Sequence, residues 1–391
     1  MRALLKYSLI LPISFVFACN HRETFPLESD GHLLEVEEVT DSISVPFGMA
    51  FLPNGKLLVT DRPKGTLILV DVDNGQRTTI EGLPPVLASA DGGMLDVIVH
   101  PDFGRNHTIF YSYSTSREDS TSTMVVDRAT LEGNQIVRSQ RIFSALPYYK
   151  EHNHFGSRLL LKDGYLFITM GERYFLRDSA QTLSNHLGKI MRVFEDGSIP
   201  PDNPYFNKNG ALPEIWSYGH RNPQGLVIHP FTDELWEHEH GPKGGDEINI
   251  IKPSLNYGWP VICHGIDYDG KPIGEGITEK DGMEQPLYYY VPSIAPSGME
   301  FYTADVIPQW KGNLFIGAMA LKHLNRLVIK DNKVIKEHRL LTDKNWRIRC
   351  VKEGPDGFLY IGIDKGRILR IKPRERLIVK GISKNLLCPS H

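Results

Sequence analysis

The sequence has almost no net charge of either sign. Its 44 Lys and Arg residues nearly balance its 47 Asp and Glu residues, which leaves a formal charge of −3 over 391 residues. A surplus of basic side chains is the usual mark of proteins that bind nucleic acids or acidic lipid surfaces. We therefore expect no nucleic-acid partner and no membrane contact made through a charged surface.

Long hydrophobic runs are also scarce. The apolar run over residues 7–18 follows Arg2 and Lys6 and is too short to span a bilayer. It is typical of an export signal, and its last residues, Ala18-Cys19, resemble the cleavage site of a bacterial lipoprotein. We predict a lipoprotein-type signal peptide over 1–19, with Cys19 lipidated and the chain anchored in the periplasm or outer membrane. Secretion without lipidation is the alternative.

Cysteine is rare as well, with four residues in the whole chain. If Cys19 carries lipid, an odd number remains: Cys263, Cys350 and Cys388. An odd count argues against a fold that depends on a disulfide framework, although it leaves room for one pair.

The sequence does contain a repeated pattern of two short apolar strands joined by a polar turn. The copies begin at Gly48, Asp96, Ser157, Gly225, Gly298 and Arg349, at spacings of 48 to 73 residues. A repeat of about 40–50 residues with four strands is typical of a β-propeller blade, and longer spacings indicate inserted loops. We predict an all-β, six-bladed β-propeller with four-stranded antiparallel blades over residues 36–375. A pair of β-sandwiches is the alternative.

Segments outside the repeats are expected to be loops or tails. Residues 20–35 have the composition of a polar tether, and residues 376–391 that of a polar C-terminal tail. Three inserts are predicted over 115–153, 174–216 and 255–297. Long loops on a rigid scaffold are where binding and catalytic residues concentrate.

A glycine-rich acidic stretch follows the fourth copy of the repeat. It reads HGPKGGDEIN and places Asp246 and Glu247 after two glycines. Main-chain carbonyls and carboxylates are the hard oxygen ligands that Ca²⁺ prefers. The stretch therefore indicates a calcium site, and an acidic turn without metal is the alternative.

Two further features are candidates for chemistry. His154 precedes Phe155-Gly156 at the start of a strand, where an imidazole could act as a general base or could be a hydrogen-bonded structural histidine. Arg347 and Arg349 occupy alternate positions of a strand, so both guanidinium groups face the same side and suit an anion. Ion pairs with local acids are the alternative.

An ordered set of motifs resembles one known family. HFGSRL, GHRNPQGL, HGPKGGDEIN, NYGWP and SIAPSGMEFY occur in this order, and together they resemble the soluble glucose/sorbosone dehydrogenases that use pyrroloquinoline quinone (PQQ). The resemblance is closer to the aldose sugar dehydrogenases of that group. It implies a six-bladed propeller that oxidises sugars at C1 to lactones and passes electrons to a quinone or cytochrome acceptor.

The resemblance also implies roles for individual residues. His154 would be the catalytic base that takes the proton of the anomeric hydroxyl group, while Arg221 and Asn222 would lie beside the reactive carbonyl of PQQ. The cations expected to hold the carboxylates of PQQ are Lys322, Arg347 and Arg349.

The same family pattern implies two calcium sites. The main-chain carbonyls of Gly241 and Pro242 would bind the calcium ion that PQQ also chelates. Glu247 and Tyr257 would bind a second, structural calcium ion. Tyr268 is a further candidate for contact with PQQ at the rim of the site.

The residues expected around the sugar depart from the family pattern. Asp91 stands where many members have Gln, Asn153 where the glucose enzymes have Asp, Arg173 in place of a substrate-side Gln, and Val291 in place of Trp. Tyr288 is retained as a candidate sugar contact and Ser293 as a candidate cofactor contact.

Two other functions are compatible with these residues. One is an extracellular propeller that binds a carbohydrate or protein without catalysis, which the altered rim favours. The other is a calcium-dependent lactonase of propeller fold, which would have no use for converging cations.

Overall fold

The computed structural model describes residues 22–374, and in this range the chain folds into six antiparallel sheets. The predicted six-bladed, all-β propeller is confirmed. Turns at Asn54-Gly55, Asp163-Gly164 and Asp356-Gly357 join paired strands, with positive φ at Gly55, Asp163, Gly164 and Gly357. Asn, Asp and Gly tolerate this conformation, which is why they mark the hairpins.

Each of the first five blades contains four strands, ordered from the centre outward along the chain, and the bounds are as follows. Blade 1 has β3 (Pro46–Phe51), β4 (Leu57–Asp61), β5 (Thr66–Val70) and β6 (Arg77–Thr79). Blade 2 has β7 (Met94–Val99), β8 (Thr108–Ser116), β9 (Ser122–Glu132) and β10 (Gln135–Ser144). Blade 3 has β11 (Leu159–Lys162), β12 (Tyr165–Met170), β13 (Lys189–Phe194) and β14 (Ile215–Tyr218).

Blade 4 has β15 (Pro223–Ile228), β16 (Leu235–Glu239), β17 (Asp246–Ile251) and β18 (Tyr288–Tyr290). Blade 5 has β19 (Pro296–Phe301), β20 (Leu314–Ala318), β21 (His323–Lys330) and β22 (Lys333–Leu340). Blade 6 has β23 (Ile348–Glu353), β24 (Leu359–Ile363) and β25 (Arg367–Pro373), together with β2 (His32–Thr40) and β1 (Thr24–Ser29) from the N-terminal side.

The sixth blade joins the two ends of the described chain. Strand β2 pairs with β25 from Leu34↔Pro373 to Thr40↔Ile368, and β1 adds a fifth strand at the outer edge. The predicted polar tether over 20–35 is therefore wrong for most of its described residues, because they lie in these two strands. The polar side chains there belong to an edge strand, which is half exposed.

The innermost strands form the wall of a central channel. A cavity of about 240 Å³ is lined by residues from β3, β7, β11, β15, β19 and β23 together. The strands approach closely at Gly298, which has a φ of 52° and whose added Cβ would lie 2.5 Å from the Cα of Cys350. Only glycine fits there.

Apolar residues fill the spaces between neighbouring blades. One such core combines Phe110 and Val126 of blade 2 with Ile168 and Met191 of blade 3, all of them buried. Because each blade packs on two neighbours, the ring is rigid and holds the loops at its ends in place.

Helical segments are short in residues 22–374. They are α1 (Phe103–Asn106) and the 3₁₀ segments Arg62–Lys64, Arg177–Gln181, Pro308–Trp310 and Thr342–Lys344. None of these helices has the length and apolar character required to cross a bilayer. The predicted insert over 115–153 is largely wrong, since it contains β9 and β10, and the one over 174–216 is interrupted by β13. Of the insert predicted over 255–297, residues 255–287 form a long loop, and β18 and the start of β19 lie in the remainder.

The cysteines inside the described range are Cys263 and Cys350, and both are free and buried. Cys19 and Cys388 lie outside it, as do the signal peptide over 1–19 and the tail over 376–391. Lipidation of Cys19 stays a prediction.

Candidate active site

A second cavity, of about 220 Å³, lies at one mouth of the channel. We call it the His154 cavity, and its lining residues are Phe47, Arg62, Asp91, Leu95, His154, Phe155, Gly156, Asn222, Gln224, His240, Met319, Arg347 and Arg349. These residues lie at the beginnings of innermost strands or just after second strands. Five sequence-predicted residues therefore meet in one place: Asp91, His154, Asn222, Arg347 and Arg349.

His154 is held by a buried carboxylate. Its Nδ1 lies 2.8 Å from Oε2 of Glu172, whose side chain is fully buried. Burial alone would raise the pKa of Glu172, but the neighbouring His154 and Arg221 lower it below its usual value. A proton on Nδ1 satisfies an ionised Glu172, and in the neutral imidazole with that tautomer Nε2 is the acceptor.

The loop that carries His154 is also fixed through its backbone. Oδ2 of Asp91 accepts hydrogen bonds from the main-chain N–H of His154 at 3.3 Å and from Nδ2 of Asn153 at 3.4 Å. His154 itself has a φ of 47°, which is an uncommon conformation for a residue other than glycine. Asp91 thus lies in the cavity where a substrate contact was predicted, and Asn153 braces it.

The two predicted arginines converge on a protein carboxylate. Asp364 accepts hydrogen bonds from Nε of Arg347 at 3.0 Å, and from Nε and Nη2 of Arg349 at 3.0 and 2.8 Å. Burial would raise the pKa of Asp364, but its bonds to Arg349 and Arg347 lower it. Asp364 therefore neutralises part of the positive charge at this wall.

Two other cationic residues, Lys322 and Arg62, differ in their position relative to the cavity that this pair of arginines lines. Lys322 does not line the His154 cavity, and its Nζ donates a hydrogen bond to Oδ1 of Asn345 at 2.9 Å. Arg62 does line it, and burial together with the charge of Arg349 lowers the pKa of Arg62 to about 10. Sequence reasoning missed Arg62, although it directly follows the second strand of the first repeat.

Asn222 lies in another wall of the His154 cavity, whereas Arg221 does not line this cavity and lines a smaller one that shares His240 with it. Nη1 of Arg221 donates to the main-chain carbonyls of His240 at 3.1 Å and Gly241 at 2.9 Å. Oδ1 of Asn222 accepts from the N–H of Gly156 at 3.2 Å, which connects this wall to the His154 loop. The carbonyl of Gly241, predicted to bind calcium, is thus occupied by a guanidinium group in this structure.

Behind Arg221 lies a cluster that we call the acidic pocket, formed by His220, Glu237, Glu239, Glu247 and Asn249. Strands β16 and β17 pair Glu237 with Asn249 and Glu239 with Glu247, so all four side chains lie on one face of the sheet. Nδ1 of His220 lies 3.3 Å from Glu239. Ligand atoms of His220, Glu237 and Glu239 lie within 4.8 Å of one another.

The acidic pocket has too few positive partners. Glu237 is fully buried and its Oε1 has no hydrogen-bond partner, as is true of Oδ1 of Asn249. Burial and the neighbouring Glu239 raise the pKa of Glu237 well above its usual value, and the same two causes raise that of Glu247. Carboxylates in such a position are stabilised by a bound cation.

The remaining predicted metal residues surround this pocket. Gly241 and Tyr257 line a small cavity together with Glu239 and Glu247. Pro242 is buried beside Gly241. The phenol of Tyr257 donates to the carbonyl of Ile250 at 2.7 Å, so its side chain is already committed to a structural bond.

Asp246 organises the glycine-rich loop. Its carboxylate accepts hydrogen bonds from the N–H groups of Gly241 at 2.9 Å, Ile294 at 2.7 Å and Ala295 at 2.9 Å, and from the hydroxyl of Ser293 at 2.7 Å. Burial raises its pKa to about 6 despite these bonds. Ser293, predicted to contact the cofactor, is thereby shown to support this loop.

Two predicted residues, Tyr288 and Tyr268, are not among those that line the His154 cavity. The hydroxyl of Tyr288 donates to Oε2 of Glu337 at 3.0 Å on the outer part of blade 4, which does not favour its predicted contact with sugar. Tyr268 is 59% exposed in the long loop of blade 4. Its predicted place at the rim stays a prediction.

Glu172, Glu237 and Glu239 were not identified from the sequence. Their positions in the sequence relative to apolar strands could have indicated them. Glu172 follows β12 at the end of a second strand, and Glu237 and Glu239 alternate in the apolar strand β16, WEHE. Acids inside or just after a buried strand require a partner.

The chain matches known proteins over most of its length. The family model described as glucose/sorbosone dehydrogenase matches residues 43–370. The aldose sugar dehydrogenase YliI of Escherichia coli is 41% identical over 348 residues, which are 87% of this chain and 93% of that protein.

Solved structures of related proteins also match most of the chain. The apo form of the soluble aldose sugar dehydrogenase of Escherichia coli is 40% identical, with a TM-score of 0.84 over 87% of this chain and all of that one. The PQQ-bound aldose sugar dehydrogenase of Streptomyces coelicolor is 25% identical, with a TM-score of 0.69 over 90% of this chain and 98% of that one.

Proposed function

The chain belongs to the glucose/sorbosone dehydrogenase family of oxidoreductases, and on that premise we propose that it is a PQQ- and calcium-dependent aldose sugar dehydrogenase. It would oxidise the C1 hydroxyl group of sugars and release lactones. The observation that carries the proposal is the pairing of His154 with buried Glu172 in a cavity whose opposite wall presents Arg347 and Arg349. A general base and an anion-binding wall face one space.

The donor set of the cavity fits a polycarboxylate cofactor. PQQ has three carboxylate groups, and guanidinium groups bind carboxylates through two parallel hydrogen bonds. Arg347 and Arg349 would hold such groups, sharing their positive charge with Asp364, and Arg62 offers a further cation on the same wall. Lys322 would join them by releasing Asn345.

The acidic pocket fits a calcium ion. Glu247, with the buried carboxylates of Glu237 and Glu239, supplies the hard oxygen ligands that the ion requires, and the unpartnered Oε1 of Glu237 leaves a coordination position free. Tyr257 is a further candidate ligand of this structural ion, whereas the carbonyls of Gly241 and Pro242 are candidate ligands of a separate calcium ion that PQQ would also bind. A cation in the acidic pocket would lower the free-energy cost of three neighbouring carboxylates, of which Glu237 and Glu239 are buried.

The protein's own part in the reaction is to remove a proton and to fix geometry. The C1 hydroxyl group of a sugar would donate its proton to Nε2 of His154, and Glu172 would stabilise the imidazolium that results. Asp91 would orient the base through its backbone. PQQ, when bound with calcium, supplies the hydride acceptor for C1, and Arg221 would stabilise negative charge on it.

We further propose that the protein is exported and that Cys19 carries a lipid anchor. The mature enzyme would then face a quinone or cytochrome acceptor at the membrane surface. These proposals rest on the sequence of residues 1–19 alone. Mass spectrometry of the mature N-terminus would test them: a diacylglyceryl group on Cys19 supports the anchor, and an unmodified cleaved terminus contradicts it.

Reconstitution tests the proposed activity. Metal-free protein is supplied with Ca²⁺ and PQQ, given a panel of aldoses and an artificial electron acceptor, and the product is identified by mass spectrometry. Reduction of the acceptor with formation of an aldonolactone supports the dehydrogenase. Lactone hydrolysis without PQQ would identify a lactonase instead, and sugar binding without turnover would identify a non-catalytic propeller.

A further inference from the structure

Arg173 is a charged side chain that lies fully inside the protein. Its exposed fraction is 0%, and burial lowers its pKa to about 10. It was predicted from the sequence to lie on the substrate side, but it does not line the His154 cavity. Burying a guanidinium group is costly unless every donor finds an acceptor, so its contacts require an explanation.

The acceptors of Arg173 are mostly main-chain carbonyls. Nε donates to the carbonyl of Asn153 at 3.0 Å, Nη2 to the carbonyl of Glu151, and Nη1 to the carbonyl of Ser122 at 3.0 Å. Nη2 also lies 3.1 Å from the hydroxyl of Ser122. The side chain thus connects the first residue of β9 in blade 2 with the loop that carries His154.

The contact with Asn153 has a specific consequence. That carbonyl belongs to the peptide group joining Asn153 to His154, and the N–H of the same peptide group donates to Asp91 at 3.3 Å. Both ends of one peptide plane are therefore held, the oxygen by Arg173 and the nitrogen by Asp91. A fixed plane, together with the φ of 47° at His154, sets the direction in which the imidazole leaves the backbone.

The residues on either side of Arg173 act on the same histidine. Glu172 binds the imidazole at Nδ1, and the ring of Tyr174 meets the imidazole edge-on with 5.2 Å between centroids. Arg173 and Tyr174 both have positive φ, at 65° and 66°. This conformation turns three successive side chains toward different parts of the His154 loop.

From these contacts we propose that Arg173 is a positioning residue that orients the base His154 by clamping the peptide group between Asn153 and His154. The role of His154 as a base rests on the proposed function. The contacts by which Arg173 holds the peptide group do not depend on it. The guanidinium group also lies 4.2 Å above the ring of Phe155, which keeps its plane fixed. A lysine has the charge but lacks the planar fork that reaches three carbonyls at once.

The test uses Arg173→Lys and Arg173→Ala, with Arg192→Lys as the matched control. Arg192 is likewise buried, bonds Asn203 at 2.7 Å and stacks on Trp216 at 4.3 Å, but it lies in blade 3 with no contact to the His154 loop. The first readout is amide hydrogen exchange of residues 151–155 in protein without PQQ. Faster exchange in the Arg173 variants and unchanged exchange in Arg192→Lys are expected.

The second readout is turnover of the reconstituted enzyme. We expect kcat of Arg173→Lys to fall by roughly 10- to 100-fold, the scale of a misplaced catalytic group, with KM and PQQ affinity within about 3-fold of wild type. Guanidinium at millimolar concentration should restore part of the kcat of Arg173→Ala. Faster amide exchange with an unchanged kcat would overturn the positioning role. Amide exchange at the wild-type rate in the Arg173 variants would overturn it as well.

The two readouts separate this inference from the proposed function. If the wild-type protein oxidises no sugar, the proposed function fails, whereas the exchange of residues 151–155 still shows whether Arg173 clamps the loop. Equal losses of kcat in the Arg173 and Arg192 variants would contradict the inference and indicate a general effect on folding.

Discussion

The two halves of the candidate site, the His154 side and the acidic pocket, differ in how their charged groups are paired. On the side of His154 the charged groups bond what they position: Glu172 bonds the imidazole, and Asp91 and Arg173 bond the neighbouring backbone, although Oε1 of Glu172 is buried without a hydrogen-bond partner. In the acidic pocket, by contrast, three carboxylates lie together, and Glu237 keeps an unpartnered, fully buried oxygen.

This difference indicates which parts of the site depend on a bound group. An imidazole paired with a carboxylate, on a backbone held by two side chains, keeps its geometry before any ligand arrives. A buried cluster of like charges is unfavourable until a cation or protons neutralise it. The His154 side should therefore respond to mutation mainly through turnover, and the acidic pocket mainly through stability and metal binding.

The largest effect is expected from His154→Ala. Removing the base should lower kcat by about 10⁴-fold, the upper range for general-base catalysis, and leave PQQ affinity nearly unchanged. Steady-state kinetics and a PQQ absorption titration measure the two quantities. A parallel loss of PQQ binding would show that the His154 side also holds the cofactor. The two halves of the site would then not differ in function as described.

Glu172→Gln should have the next largest effect. The amide retains the shape but can favour the wrong tautomer of His154, so we expect kcat to fall by about 100- to 1,000-fold, less than loss of the base itself. Thermal unfolding with and without Ca²⁺ serves as the control. An equal response to Ca²⁺ in variant and wild type is expected, because Glu172 lies outside the acidic pocket.

Removal of calcium should act on stability in a pH-dependent way. The folded-state pKa values of Glu237 and Glu247 lie above those of the unfolded chain, so their protonation stabilises the fold at low pH. That contribution is lost as the pH rises through the raised values. Metal-free Glu237→Gln should therefore gain stability relative to wild type as the pH rises above the ordinary glutamate pKa, measured by denaturant unfolding.

Added calcium should make the wild-type protein more stable than Glu237→Gln, the reverse of the order expected without metal. At about 100 times its Kd, Ca²⁺ should stabilise the wild-type protein by about 2.7 kcal/mol and Glu237→Gln by less. Ca²⁺ that stabilised both proteins equally would remove Glu237 from the metal site.

The smallest effect is expected from Arg349→Met. Losing one of two guanidinium groups should weaken PQQ binding by about 10-fold, or 1.4 kcal/mol, with kcat largely retained. Arg370→Met is the control, since Arg370 pairs with Glu37 on the outer part of blade 6. Unchanged PQQ affinity in Arg349→Met would mean that Asp364 is the only anion this wall binds.

The features that the sequence revealed are those with a local signature. The repeated strand-turn-strand pattern places all six innermost strands. Arg347, which directly precedes β23, and Arg349 within β23 reach one carboxylate, as their alternate positions suggested. Local patterns persist because they are fixed by turn chemistry and strand periodicity.

Features that depend on distant pairing were missed. Strand β2 looks like a tether because its partner β25 lies more than 300 residues away, and β1 pairs only with β2. The partners Glu172, Asp364 and Arg173 belong to other segments than the residues they hold. Long-range contacts of this kind leave no periodicity in a single sequence.

One measurement tests the central claim most directly: the absorption spectrum of PQQ added to metal-free protein, with and without Ca²⁺, before and after addition of an aldose. The account predicts that the sugar reduces bound PQQ rapidly only when Ca²⁺ is present, and that His154→Ala binds PQQ without this change. Equal reduction in the absence of Ca²⁺, or none with both Ca²⁺ and sugar present, would contradict it.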